Sequence, residues 1–249
     1  MDKASWLGLI IGFGGIILGN SLEGGHFSAL IQATAFLIVF CGTLGAVFLN
    51  STGRDLRMAK NMMGSAFSES NTPKRVRLVN ELVRLASVAK KEGVLGIEEQ
   101  IKKMPTAYMQ TVFRFIVDGV EPKHMKSILK EQIYIEEDHK MAGSKVFMDA
   151  GSYAPTIGIL GAVLGLIHIM ANLTDTSSLG AGIAIAFVAT IYGVASANLL
   201  FLPIANKIKS KIQYEAGTQE MVLSAALAIY DGVGPSLLQE KLNAYLVGE

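Results

Sequence analysis

None of the four longest apolar runs in this 249-residue chain contains an Asp, Glu, Lys or Arg. Ions at membrane depth need compensating groups, so a chain with this gap has no carboxylate of its own to hold a cation partway across a membrane. Cysteine is nearly absent as well. The single Cys41 lies inside an apolar run and cannot form an intrachain disulfide, and no zinc or haem spacing occurs. A basic excess is also missing: 22 basic residues stand against 21 acidic ones, which argues against a dedicated nucleic-acid binder. No nucleophile with a base, metal cluster or phosphate loop appears, so neither an enzyme nor a resident metal or cofactor is expected. Strand signals are lacking throughout.

Hydrophobic residues make up 51% of the chain, charged residues only 17%, and the mean hydropathy is +0.41. That balance fits a mixed membrane protein. The four runs fall in two pairs. Residues 1–50 form a first hairpin with spans at about 4–22 and 29–49. Residues 150–203 form a second, with spans at about 151–173 and 180–203. Each run matches the roughly 20 helical residues that cross a hydrocarbon core of about 30 Å. A cleaved signal peptide is disfavoured at the N-terminus. Lys3 is offset by Asp2, and no small-x-small site precedes Glu23.

Charge location fixes the expected topology. Of the 22 basic residues, 17 lie between Asn50 and Asp149, while Lys3 sits at the N-terminus and Lys207, Lys209, Lys211 and Lys241 in the tail. Neither hairpin connection has any. The positive-inside rule then places both termini and the long segment in the cytoplasm, with Arg54, Arg57, Lys145 and Lys207 flanking the spans.

The segment 51–149 reads as helical. Val76, Val79, Leu82, Val83 and Ala86 recur at three- and four-residue steps between Lys74 and Lys91, and Gly93 is a stop. A short helix around Ile97 to Lys103 and another after Pro105 follow. Pro122 then opens a pattern that runs on towards the third span. After Pro203 an amphipathic helix continues to Tyr230, and a last helix runs from Pro235 to Leu246. The expected fold class is all-α: a four-span membrane protein whose helical cytoplasmic domain is built from the loop and the 204–249 tail.

Small residues line the second hairpin: Gly158, Gly161, Ala162 and Gly165 on one run, Ala186, Thr190, Gly193 and Ala197 on the other. They allow another helix, including one that brings the missing carboxylate, to come close. Thr190 lies near mid-depth, level with Gly161 and Ala162. Such a threonine ordinarily bonds back to its own helix; the functional alternative offers its hydroxyl to an ion or to a partner's carboxylate. By spacing alone Pro155 and Pro203 are helix-boundary signals near the cytoplasmic mouth. His168, towards the outer end, reads as packing or interfacial. In the loop, Lys90 and Lys91 precede Glu98 and Glu99 across a glycine break. The pattern is either a solvated turn or an edge that offers both signs to a partner.

Four stretches in order, MDKASWLGLIIGF, APTIGILGAVLGLIHIM, FVATIYGVASANLLFLPIANK and DGVGPSLLQEKLNAYL, resemble the MotA/PomA family, the four-span subunit of the bacterial flagellar stator. The resemblance implies a ring of five subunits in the bacterial inner membrane around a MotB-type single-span, peptidoglycan-binding partner whose aspartate carries the ion. By motif it assigns Pro155 and Pro203 to the family's two mechanistic prolines, Thr190 to the threonine facing that aspartate, and Lys90, Lys91, Glu98 and Glu99 to the stretch engaging the rotor protein FliG. Sodium-driven relatives have a threonine where this chain has Ala162 and an acid where it has Gln32. The missing hydroxyl removes an oxygen useful to a dehydrating sodium ion, so H+ is the expected ion, with Ala162 the indicator. A TolQ/ExbB-like energy transducer and a sodium-driven PomA-type stator are the alternatives. TolQ/ExbB relatives have three spans, so the fourth run weighs against the first.

Overall fold

Helices supply every regular element among the described residues, as the periodicity predicts. The structure, a computed structural model, describes residues 3–68, 72–171 and 176–246. Two compact units are present. The first comprises residues 1–69 and 140–209, the second 70–139 and 210–249.

The first unit holds the apolar spans. Helix α1 is Lys3–Leu22. The second span is interrupted: a 3-10 turn at Phe27–Leu30, extended Ile31 and Gln32, α2 (Ala33–Phe36), a π segment at Leu37–Cys41, then α3 (Gly42–Asn50). Its regular helix therefore begins at Ala33 rather than near residue 29. Tyr192 explains the late start: its hydroxyl donates to the Leu30 carbonyl at 2.5 Å and accepts the Gln32 N–H at 3.2 Å, so these backbone groups are satisfied without helix.

Helix α4, Gly53–Phe67, is an element beyond those expected from the sequence. Its signal is local: Thr52 caps the Asp55 N–H while the Asp55 carboxylate accepts from Thr52 N–H, a reciprocal capping box. Its apolar face packs on the third span, with Ala59 buried beside Val146 and Ala150. A Cβ on Gly143 would come 2.7 Å from Met58 Cγ. By packing, the two units divide the chain after residues 69, 139 and 209. Asn50 donates to Asp149 at 2.7 Å, and buried Ser144 donates to the Ala205 carbonyl at 2.8 Å.

Helix α5 is Arg75–Glu92, α6 Glu98–Ile101, α7 Ala107–Val117, α8 Pro122–Ala171, α9 Thr176–Ser196, α10 Leu202–Tyr230 and α11 Pro235–Asn243. Among the described residues, four helices are long and apolar enough to cross a membrane. The chain is a multi-pass membrane protein. Residues 172–175, the end of the third expected span and part of its connection, lie outside the described residues.

The second unit has a conventional core. Leu78, Leu82 and Leu85 of α5, Phe113 of α7, Met125 and Leu129 of α8, Met221 of α10 and Leu238 of α11 are buried in one cluster. Arg75 locks it shut. Its guanidinium lies 4.4 Å over the Tyr214 ring and donates to Thr218 Oγ1 at 3.1 Å, the Tyr245 carbonyl at 3.0 Å and the Tyr214 carbonyl at 3.2 Å.

Candidate functional site

The second hairpin is sealed by its own small residues. A Cβ on Gly158 would sit 2.9 Å from the Ala189 carbonyl, one on Gly161 2.8 Å from Ala189 Cβ, and one on Gly165 3.0 Å from Ala186 N. From the facing helix, a Cβ on Gly193 would lie 2.5 Å from the Ala154 carbonyl. Only glycine permits this approach. The expectation that these faces await a partner is therefore corrected: Gly158, Gly161, Gly165, Ala186, Gly193 and Ala197 are consumed inside the chain.

What remains uncovered is the adjacent row. Ala162 follows Gly161, and Thr190 follows Ala189. In an antiparallel pair, one forward step of about 100° turns both helices towards the same side. Pro155, Ala162 and Thr190, all half-buried, share that side of the pair with exposed Ile159, Leu166, Phe187 and Val194. The Thr190 hydroxyl donates to the Ala186 carbonyl at 3.3 Å, the back-bond expected of a threonine in an apolar helix. Its one proton is thereby committed, and its lone pairs can only accept. The face has no ionisable group, so chemically it offers apolar contact and one acceptor oxygen. His168 is exposed on the same helix.

Pro155 does not bound a helix, contrary to the spacing, whereas Pro203 falls in the first turn of one. Pro155 lies inside α8, where it lacks the N–H that would bond the Gly151 carbonyl. Pro203 is the second residue of α10 and follows a π segment, Ala197–Phe201, in which the Leu202 N–H bonds the Ala197 carbonyl. The register shift just before the proline absorbs its missing donor. Pro203 is exposed and lines a cavity with α1 and α4; it is not on the small-residue contact.

In the second unit, Lys90 and Lys91 end α5 and Glu98 and Glu99 begin α6, all exposed. Gly93, at φ 76°, reverses the chain. A Cβ on Gly96 would lie 2.7 Å from Glu92 Cβ, so the turn folds back and brings both pairs to one end of the unit. Buried Ile97 and Ile101 anchor it. Each sign also sits where the helix dipole favours it, lysines at a C-terminus and glutamates at an N-terminus.

Comparison with known proteins decides the family. Residues 97–221 match the model of the MotA/TolQ/ExbB proton channel family. Motility protein A of Bacillus subtilis (strain 168) is 33% identical over 246 residues, covering 99% of this chain and 91% of the relative. The chain belongs to the MotA/TolQ/ExbB proton channel family. Within that family it is also 31% identical to chemotaxis protein PomA of Vibrio alginolyticus, over 99% of this chain and 96% of PomA. The solved C. jejuni MotAB structure superposes at a TM-score of 0.94, with 26% identity, over 100% of this chain and 97% of that one. The flagellar MotAB stator complex from Bacillus subtilis superposes at 0.90, with 32% identity and 98% and 96% coverage. As a MotA-type family member the chain spans nearly the full length of these relatives.

Sequence reasoning missed Arg75, Tyr192 and the two π segments. Arg75 and Tyr192 act on residues 139 to 170 positions away, and no local pattern marks such pairs. The glycine and threonine content of the spans gives no register signal for a π bulge.

Proposed function

We infer that this chain is the ion-path subunit of a flagellar stator that couples inward proton flow across the bacterial inner membrane to torque on the rotor. The observation behind this reading is the uncovered face of the second hairpin: close to mid-depth it presents Thr190 and Ala162 among apolar residues, with no charge of its own. Such a face suits a helix that brings one carboxylate. A MotB-type single-span partner supplies that helix and its aspartate, and five copies of this chain surround it. Relatives solved as MotAB complexes support the pairing.

The acceptor-only state of Thr190 gives the face a preference. A protonated carboxyl can donate to its hydroxyl oxygen, whereas a carboxylate only accepts and receives no proton from Thr190 unless that hydroxyl first gives up its bond to Ala186. Proton binding also removes a charge from an apolar environment, so loaded and unloaded partners pack differently against the ring. Each proton crossing makes available about 2.3 kcal/mol per 100 mV. Basic residues put both termini and the second unit in the cytoplasm, where Lys90, Lys91, Glu98 and Glu99 offer both signs to FliG. Ala162, having no oxygen for a dehydrated sodium ion, favours H+ over the sodium alternative.

The test is a stator-deficient host that carries this chain and its partner. Thr190→Ala and Pro155→Ala are expected to lower swimming speed and proton flux together. Normal torque from both variants removes the site assignment.

A further inference from the structure

A cavity of about 310 Å³ opens in the first unit between α1, the end of α4 and the start of α10. Its volume is at the lower end of the roughly 300–1,000 Å³ of small-molecule pockets. Leu9, Phe67, Leu199 and Ile204 line it, and Gly8 leaves its wall open, since a Cβ there would meet nothing within 4 Å. Polar chemistry is confined to Ser5, Asn198 and Lys207. Lys207 Nζ donates to Ser5 Oγ, which fixes the ammonium at the cavity. Asn198 turns its amide to the Val194 carbonyl, 2.9 Å away.

Two observations fix the cavity's depth and the sign of its occupant. Trp6 and Phe67 meet beside it with ring centroids 5.9 Å apart, and tryptophan collects at the headgroup level. Helix α4, whose Ala66 and Phe67 form part of the wall, exposes Arg54, Arg57 and Lys60, basic charge of the kind that attracts anionic lipid headgroups. An apolar slot with a lysine at headgroup depth, on a basic membrane face, has the chemistry of an anionic-lipid site.

We propose that this cavity binds an anionic phospholipid of the cytoplasmic leaflet, one acyl chain lying along Gly8, Leu9 and Leu199 and the phosphate on Lys207. The proposal rests on the inward topology argued above. Pro203 and the π segment Ala197–Phe201 form one wall, so a seated chain packs against the helical rod that carries Thr190.

The test uses the whole stator assembly in nanodiscs of phosphatidylcholine with or without phosphatidylglycerol, read by native mass spectrometry of retained lipid and by thermal melting. The parent is expected to retain phosphatidylglycerol and to melt higher with it. Lys207→Gln should reduce the preference for phosphatidylglycerol about fivefold, the effect of one lysine at an anionic surface, while Lys207→Arg keeps it. Gly8→Leu, which fills the slot, should abolish retention with the oligomer intact. Equal retention of both lipids by the parent, or undiminished retention by Gly8→Leu, overturns the proposal. So does loss of the oligomer in Gly8→Leu with no lipid on the parent, because a second copy then fills the slot. Labelling of Lys207→Cys in a Cys41→Ser background with a membrane-impermeant thiol reagent reads the topology independently.

Discussion

Tyr108 is the second unit's least comfortable residue. Among the described residues its hydroxyl is buried without a hydrogen-bond partner. Burial pushes its pKa up, and the charges of Glu220 and Glu136 push it further. A buried donor without a partner loses its water and gains nothing, so Tyr108→Phe is expected to leave stability within about 1 kcal/mol or to raise it. The pH dependence has a definite sign. An unfolded tyrosine ionises near about pH 10, while the folded one keeps its proton beyond that. This contribution is therefore complete below about pH 10 and is lost as pH rises past it. Melting curves across that range, with tyrosinate absorbance, check the order of events; stability flat through pH 10 in the parent would contradict it. Arg75 is the opposite case. Arg75→Ala removes three hydrogen bonds and a ring contact, and is expected to cost about 2–3 kcal/mol, visible as a lower melting temperature. A Lys at 75 recovers only part, since it lacks the planar fork.

At the scale of elements, the helices of the second unit were legible because their cores repeat at three- and four-residue steps: Leu78, Leu82 and Leu85 are all buried where α5 needs them. The stop at Gly93 was legible for a different reason, its left-handed φ. The membrane spans were visible as apolar runs, but their internal geometry was not. Uniform apolarity carries no phase, so nothing in the letters separates a helix that continues from one that widens into π at Leu37–Cys41. Helix α4 was readable from Thr52 and Asp55 and from Leu56, Ala59, Met62, Met63 and Ala66 at three- and four-residue steps. Small residues in the second hairpin were correctly read as close-packing, but which surface they pack against is a long-range fact. That packing predicts a contrast between glycines. Gly193→Ala places a methyl against the Ala154 backbone carbonyl, which cannot rotate away, and is expected to cost about 1–3 kcal/mol. Gly14→Ala meets nothing within 4 Å in the chain and should be neutral. Thermal melting of the purified protein in detergent compares the two; equal effects would mean that the α8 to α9 contact is not as close as described.

For the whole molecule, the feature that organised the sequence reading was an absence, and it remains the centre of the mechanism. Four spans without an Asp, Glu, Lys or Arg supply no carboxylate to carry an ion by themselves. The chain supplies the surface: a sealed pair of helices, with Pro155, Ala162 and Thr190 on the side left open. Lack of a third-span hydroxyl at Ala162 predicts proton coupling, so lowering external sodium at fixed membrane potential should leave swimming speed unchanged; a proportional loss of speed would assign the chain to sodium. The most direct measurement of the account is proton flux into liposomes holding this chain with its single-span partner, the chain alone, or the pair with the partner's membrane aspartate changed to asparagine. Flux is expected only from the intact pair. Comparable flux from this chain alone, or from the asparagine pair, would contradict it.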